Sequence, residues 1–236
     1  NASNLICLSV SNASDNKIVR ASNFSYPYEL LSVNLLIDCS SYIPESNKMF
    51  NVLLLTSFAY ALNFLHVPYE ICVVADQKFR FILKPFEEPH SIKALQRVLD
   101  CVLIQRYRTN YPDTFHHTAE FMNNPDEKRT QRAVFLFSDG LDENLVLIDA
   151  LNKQVLNNPA ISYGILVTLP QSLSKDNKIK MNNVWNQFAD GTKGAVSITR
   201  ISVFESNLNR PANTQKIVNC FKDVISRELN IQKDYK

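Results

Sequence analysis

Two runs of consecutive apolar residues predict buried strands. Val33–Ile37 (VNLLI) is almost entirely apolar and ends at Asp38, and Ala133–Phe137 (AVFLF) ends at the tripeptide Ser138-Asp139-Gly140. Helices cover a parallel sheet on both faces, so the strands of such a sheet are apolar on both sides. Both runs are therefore predicted to be central strands of a parallel sheet, and an aspartate comes at the end of each.

Most of the remaining chain alternates between helical and strand patterns. From Ser91 to Val102 apolar residues recur every three or four positions, which predicts a helix with Ser91 as its N-cap. Glu70–Ala75 and Phe79–Leu83 are joined by a short polar link, which is typical of an antiparallel hairpin. The other predicted elements are helices at Met49–Leu65, Asp113–Met122, Leu145–Leu156, Val184–Phe188 and Thr214–Leu229, and strands at Leu5–Val10, Ile161–Thr168 and Ala195–Phe204.

This alternation predicts an α/β fold with a doubly wound, mostly parallel central sheet, one antiparallel edge strand and helices on both faces. The chain has 236 residues, which favours one large domain over two small ones. We expect this domain to span residues 17–236. Residues 1–16 are expected to be an N-terminal extension that carries the candidate edge strand Leu5–Val10.

Composition and charge exclude several classes of function. The 25 Lys and Arg residues nearly balance the 23 Asp and Glu residues, so the concentrated basic surplus of a nucleic-acid binder is missing. The apolar run Met49–Leu65 approaches the length of a membrane span, but polar residues interrupt it and favour a buried helix. We therefore expect a domain that binds neither nucleic acid nor a membrane. As an isolated domain it is also expected to be monomeric.

The cysteines and the glycosylation sequons point to different compartments. Five cysteines with no Cys-x-x-Cys pair argue against a zinc module and favour reduced thiols in an intracellular protein. Asn-x-Ser sequons at Asn1, Asn12 and Asn23 would accept glycans if the protein were secreted. An intracellular location is expected, and an extracellular one stays the alternative.

Polar residues follow the two predicted central strands, where open parallel sheets bind their ligands. Asp38 begins the segment DCSSY, and Asp139 follows the second strand. Two carboxylates, with the hydroxyls of Ser40 and Thr109, are oxygen donors suited to a hard divalent cation such as Mg²⁺. The alternative is that both aspartates are turn or helix-cap residues, and Thr109 a solvated loop residue.

Sequence motifs for catalysis are missing. The chain contains no Gly-x-x-x-x-Gly-Lys-Ser/Thr loop and no Gly-x-Ser-x-Gly elbow. Metal-dependent hydrolysis by Asp38 and Asp139 is the one enzymatic interpretation that stays open. We expect the domain not to be an enzyme.

The order of these residues resembles the metal-ion-dependent adhesion site of the von Willebrand factor A (VWA) family. That site combines an Asp-x-Ser-x-Ser loop, a threonine from a second loop and an aspartate from a third. Asp38 and Ser40 match the first loop, while Tyr42 stands where its second serine is expected. The resemblance implies that Asp38, Ser40, Thr109 and Asp139 bind Mg²⁺ or Mn²⁺.

The same resemblance implies a protein partner. In the family an acidic residue of the partner completes the coordination of the ion, which would place Ser41, Tyr42 and Asn110 at the edge of the interface. Tyr42 leaves a degenerate, metal-independent VWA scaffold open as an alternative. A third alternative, an extracellular adhesion domain, would be favoured only by glycans at Asn12 or Asn23.

Several short stretches point to one branch of the VWA family: Lys17–Arg20 through Leu36–Asp38, Ala61–Leu65, Ile71–Val74, Lys84–Phe86 and Arg108–Asn110. They resemble the midasin branch, whose members are AAA+ ATPases of ribosome assembly. This likeness implies a ubiquitin-like domain of an assembly factor as the partner, and a nuclear location.

Overall fold

Six strands form one sheet in the part of the protein that the computed structural model describes, which is residues 31–39, 43–74, 81–104, 111–123, 131–139, 145–169, 174–192, 196–202 and 211–231. The strands are β1 (Leu31–Asp38), β2 (Tyr69–Val74), β3 (Phe81–Lys84), β4 (Gln131–Ser138), β5 (Ile161–Leu169) and β6 (Val196–Ser202). Their order across the sheet is β3-β2-β1-β4-β5-β6. Only β3 runs antiparallel to its neighbour among these strands, which confirms the predicted sheet.

Helices cover the sheet on both faces, which confirms the doubly wound fold. They are α1 (Glu45–Phe64), α2 (Ile92–Ile104), α3 (Tyr111–Met122), α4 (Leu145–Leu156), α5 (Lys175–Gly191) and α6 (Pro211–Ile231). Side chains of α1, α2 and α6 pack with one face of the sheet. Those of α3, α4 and α5 pack with the other face.

The two predicted central strands are confirmed, and they are apolar because helices cover them on both faces. All eight residues of β1 are buried. Because side chains alternate along a strand, Leu35 packs under α1, α2 and α6, while the next residue, Leu36, packs with α3, α4 and α5. The apolar run Met49–Leu65 is accounted for by α1, and no helix within the described residues is long and apolar enough to cross a membrane.

The predicted boundaries differ from the observed ones mainly at α5. The apolar pattern predicted a short helix at Val184–Phe188, whereas α5 has 17 residues. Its N-terminal half is polar and exposed, so its apolar stripe is short, but the Ser174 hydroxyl accepts a hydrogen bond from the Asn177 backbone N–H at 3.2 Å and caps the helix there. The expected cap at Ser91 is also confirmed, since its hydroxyl accepts from the Ala94 N–H at 3.1 Å.

Several predictions lie outside the described residues. These are the candidate strand Leu5–Val10, the domain boundary at residue 17, the link between β2 and β3, and all three sequons. Among the described residues the cysteines are buried thiols, as predicted: Cys39, Cys72, Cys101 and Cys220.

The substitution Gly164→Ala is expected to destabilise the fold by about 1–3 kcal/mol, because β5 has no room for a methyl group at this position. A Cβ atom there would lie 2.6 Å from the ring of Phe135 and 3.0 Å from Val224. The Phe135 ring also contacts Phe58 and Phe221, at centroid distances of 5.0 and 5.7 Å, so a shift of this ring would disturb both contacts. Urea unfolding of the variant would measure the change.

Gly191→Ala is the matched control, because the atoms that a Cβ would meet there belong to the amide of Asn152, the end of a flexible side chain. Its free energy of unfolding should change less than that of Gly164→Ala. Equal losses in the two variants would contradict the proposed close packing at β5.

Candidate functional site

The carboxyl ends of β1 and β4 lie where the strand order reverses. The chain proceeds from β1 outward to β2 and β3, and from β4 outward to β5 and β6. α1 follows β1 on one face of the sheet, and α4 follows β4 on the other. Open α/β sheets bind ligands in the crevice at such a reversal, beyond the carboxyl ends of the two strands. Ile37 is paired with Phe137 in the parallel register of β1 and β4. The structure thus brings Asp38, Ser138 and Asp139 to the same edge of the sheet.

A compact network of hydroxyl groups holds the carboxylate of Asp38, which is 1% exposed. Its Oδ2 atom accepts a hydrogen bond from the Tyr111 hydroxyl and one from the Ser138 hydroxyl at 3.1 Å. The two hydroxyl oxygens are themselves 2.6 Å apart. Each hydroxyl has one proton, so Tyr111 donates to Asp38 and Ser138 shares its proton between the carboxylate and the tyrosine oxygen.

Tyr111 is built into this network by the start of α3. It is 2% exposed and packs with the apolar residues between α3 and the sheet. Burial, and then the negative charge of Asp38, raises the pKa of Tyr111 well above its usual value. The hydroxyl therefore remains a proton donor across the physiological pH range.

Asp139, the second predicted carboxylate, is half-buried beside Asp38. Burial, and next the charge of Asp38, raises the pKa of Asp139 to about 7, although the nearby ammonium group of Lys48 on α1 acts in the opposite direction. Two carboxylates that disfavour each other's charge are the arrangement that a divalent cation relieves. The oxygen donors present here fit Mg²⁺ or Mn²⁺.

The remaining predicted ligands lie outside the described residues. In the part of the chain that the structure describes, no group of three or more His, Cys, Asp or Glu residues could hold a metal ion. An ion at Asp38 and Asp139 would therefore need hydroxyls, waters or a partner to complete its coordination. Roles in that coordination or at the interface stay predictions for Ser40, Ser41, Tyr42, Thr109 and Asn110.

Two further hydrogen bonds connect the end of β4 to β5 and to α1 next to the site. The Thr168 hydroxyl on β5 donates to the Ser138 carbonyl at 3.0 Å, and the Asn47 amide on α1 donates to the Thr168 carbonyl at 2.9 Å. Both side chains are buried. These bonds tie the end of β4 to β5 and to the first turn of α1, so they fix the place from which Asp139 emerges.

Four residues of this environment are not predicted from the sequence pattern: Tyr111, Asn47, Lys48 and Thr168. A tyrosine two positions after Thr109, at the start of a helix, is a weak signal because aromatic residues are common in cores. Asn47 and Lys48 lie in the first turn of α1, where polar residues are ordinarily solvated. Their proximity to the site depends on how α1 packs across the ends of β1, β4 and β5.

Comparison with solved structures identifies the fold. No family model matches the chain, and no curated protein sequence matches it. The structure is similar to the SpRpn10 VWA domain, with a TM-score of 0.51 and 16% identity, covering 80% of this chain and 94% of that one. It is also similar to the conserved hypothetical protein BatB from Bacteroides thetaiotaomicron, with a TM-score of 0.50 and 15% identity, covering 81% and 99% of the two chains. The chain therefore has a VWA-type fold.

Proposed function

We propose that this chain is a non-enzymatic interaction domain that binds an acidic residue of a protein partner through a divalent cation. The pair of mutually repelling carboxylates at the reversal of the strand order carries this proposal. Asp38 and Asp139 would bind Mg²⁺ or Mn²⁺ together with the hydroxyls of Ser40 and Thr109. Ser41, Tyr42 and Asn110 would lie at the edge of the partner interface.

The charge balance explains why an acidic partner is expected. Mg²⁺ prefers six oxygen ligands and usually keeps several waters, so an ion held by two protein carboxylates can exchange a water for a carboxylate of the partner. Without the ion, Asp38 and Asp139 would repel that carboxylate, and the like charges would weaken the complex. The cation would then be part of the interface.

The partner class rests on the resemblance to the midasin branch. Its matching stretches lie at the end of α1, in β2 and from the last residue of β3 onward. We propose a ubiquitin-like domain with an exposed glutamate as the partner, and a nuclear location in ribosome assembly. The similarity to the SpRpn10 VWA domain supports the fold that this proposal needs and not the partner.

Calorimetric titration with a ubiquitin-like domain that bears an exposed glutamate tests the proposal. Binding is expected in Mg²⁺ and is expected to be lost in EDTA, with Asp38→Asn, and with glutamine in place of the partner's glutamate. The control is Asp190→Asn, which removes an exposed carboxylate where α5 ends, away from the crevice. Binding that is equally strong in EDTA would contradict the role of the metal.

A metal-independent scaffold is the second candidate, and two features of the site favour it. Hydroxyls of Tyr111 and Ser138 already stabilise the charge of Asp38, and the positive charge of Lys48 acts on Asp139 without any ion. In this case Lys48 would attract the acidic partner. Binding would then persist in EDTA and weaken with Lys48→Gln, whereas the metal-mediated mechanism predicts loss in EDTA.

A further inference from the structure

We propose that Cys39 and Cys101 are a reversible thiol–disulfide pair next to the candidate site. Cys39 directly follows Asp38 at the carboxyl end of β1, and Cys101 lies in the last turn of α2. Both residues are buried in the same apolar cluster, and their thiols are hydrogen-bonded to each other. A disulfide between them would connect β1 to α2. The inference needs no bound ion, so it is independent of the proposed function.

The other two cysteines in the described part of the chain have different partners. Cys72 packs on the opposite face of the sheet, where its thiol donates a hydrogen bond to Glu70 Oε1 at 3.0 Å. Cys220 on α6 is hydrogen-bonded to hydroxyl groups of β6. Among these four cysteines, Cys39 and Cys101 are therefore the pair that the fold brings into contact.

Cys101 is the thiol that a small oxidant reaches first. This residue is 7% exposed, whereas Cys39 is completely buried. The hydrogen bond that the Cys39 thiol donates lowers the pKa of Cys101, although burial acts in the opposite direction. Because the thiolate is the reactive form of cysteine, we expect Cys101 to attack the oxidant.

The oxidant would be a hydroperoxide, of which hydrogen peroxide is the simplest. The Cys101 thiolate attacks one peroxide oxygen, so that an S–O bond forms and the O–O bond breaks. The leaving hydroxide takes up the proton that Cys101 released and becomes water, and Cys101 is then a sulfenic acid.

The disulfide forms in a second step. The Cys39 sulfur attacks the Cys101 sulfur, the S–O bond breaks, and the hydroxide leaves as a second water with the proton of the Cys39 thiol. Two thiols are thus oxidised by two electrons to one disulfide, while one peroxide is reduced to two waters. A thiol reductant reverses the reaction by thiol–disulfide exchange.

The disulfide is expected to stabilise the folded chain. It would close a long loop, from the end of β1 to the end of α2, and a cross-link of this kind stabilises mainly by restricting the unfolded chain. The thermal midpoint of the oxidised protein should therefore lie about 5 °C or more above that of the reduced protein.

Peptide mapping of the whole chain after treatment with hydrogen peroxide tests the inference. The remaining free thiols are alkylated in denaturant, and the digest is analysed by mass spectrometry without reductant. We expect two peptides linked through Cys39 and Cys101, and we expect the link to disappear after dithiothreitol. Thermal unfolding of the same samples measures the shift of the midpoint.

Cys220→Ser is the matched control, because it removes another buried thiol of the same apolar cluster. This variant should form the link and show the rise in the midpoint, whereas Cys101→Ser should show neither. Peroxide treatment of the wild-type chain that produces no link between Cys39 and Cys101 would overturn the inference, and so would a link that does not raise the midpoint. Each result should be the same in EDTA and in Mg²⁺, so failure of the proposed metal site would leave the inference intact.

Discussion

Replacing Asp139 with asparagine is expected to abolish the stabilisation that Mg²⁺ gives to this protein. An ion that binds only the folded chain stabilises it by RT ln(1 + [L]/Kd), which is about 1.4 kcal/mol at ten times the dissociation constant. For a domain of this size the midpoint of thermal unfolding should rise by about 3–5 °C. Asp139→Asn removes one of the two carboxylates at the crevice, so the rise in Mg²⁺ should disappear.

Thermal unfolding in EDTA and in millimolar Mg²⁺, followed by circular dichroism, would measure this effect. Asp190→Asn, which changes the charge equally at an exposed position, should keep the full rise. A variant Asp139→Asn that still responds to Mg²⁺ like the wild-type chain would exclude Asp139 as a ligand. An ion completed only by the partner would give no rise in any variant, and the binding experiment with the ubiquitin-like domain then decides.

The metal-free protein is expected to lose stability as the pH rises from about 4 to 8, because of the same aspartate. The pKa of Asp139 is raised from 3.8 to about 7 in the folded chain, by burial and then by Asp38. Between these two values the folded state binds a proton that the unfolded state has released. The contribution is thus fully present below the unfolded pKa and is lost as the pH rises through the folded pKa. At this half-buried position the loss should be on the order of 2 kcal/mol.

Asp139→Asn isolates this contribution from the other carboxylates. Asparagine does not titrate, so in EDTA the free energy of unfolding of the variant should rise relative to that of the wild-type chain as the pH rises. At about pH 8 the variant should be the more stable protein. Urea unfolding of both proteins at several pH values measures the difference. Asp38, Lys48 and Tyr111 also face Asp139 and are present in both proteins. A difference that does not vary with pH would contradict the raised pKa.

The two experiments on Asp139→Asn together separate function from stability. A residue kept for the fold should cost stability when it is replaced, whereas Asp139→Asn is expected to stabilise the metal-free chain and to remove its response to Mg²⁺. Carboxylates held close together against their repulsion are typical of binding sites, where the ligand supplies the missing charge.

Much of the fold could be predicted because helices cover its central strands on both faces of the sheet. The continuous apolar runs of β1 and β4 follow directly from burial on both faces. The regular spacing of apolar residues in α2 follows from burial of one face of that helix. The length of α5 could not be predicted, because its polar first half is exposed and shows no apolar pattern. The Ser174 cap and propagation from the buried second half keep this part helical.

The candidate site could be predicted only in part. Asp38 and Asp139 each follow an apolar run, and the rule that ligands bind at the carboxyl ends of parallel strands is enough to select them. Tyr111 could not be selected in this way. Its hydroxyl bonds to Asp38 across 73 positions of the chain, and nothing in the local pattern distinguishes it from an ordinary core tyrosine.

By itself, the sequence determined which residues are buried and how they are spaced along the chain. This spacing in turn determined the alternation of strands and helices and the polar residues that end each strand. Tertiary structure alone decided that β1 and β4 are neighbours at the reversal of the strand order, that the Tyr111 and Ser138 hydroxyls engage one oxygen of Asp38, and that Lys48 lies near Asp139. The physical reason is range. Burial patterns are local and repeat every two to four residues, whereas hydrogen bonds and charge interactions depend on distances that only the packed sheet and helices set.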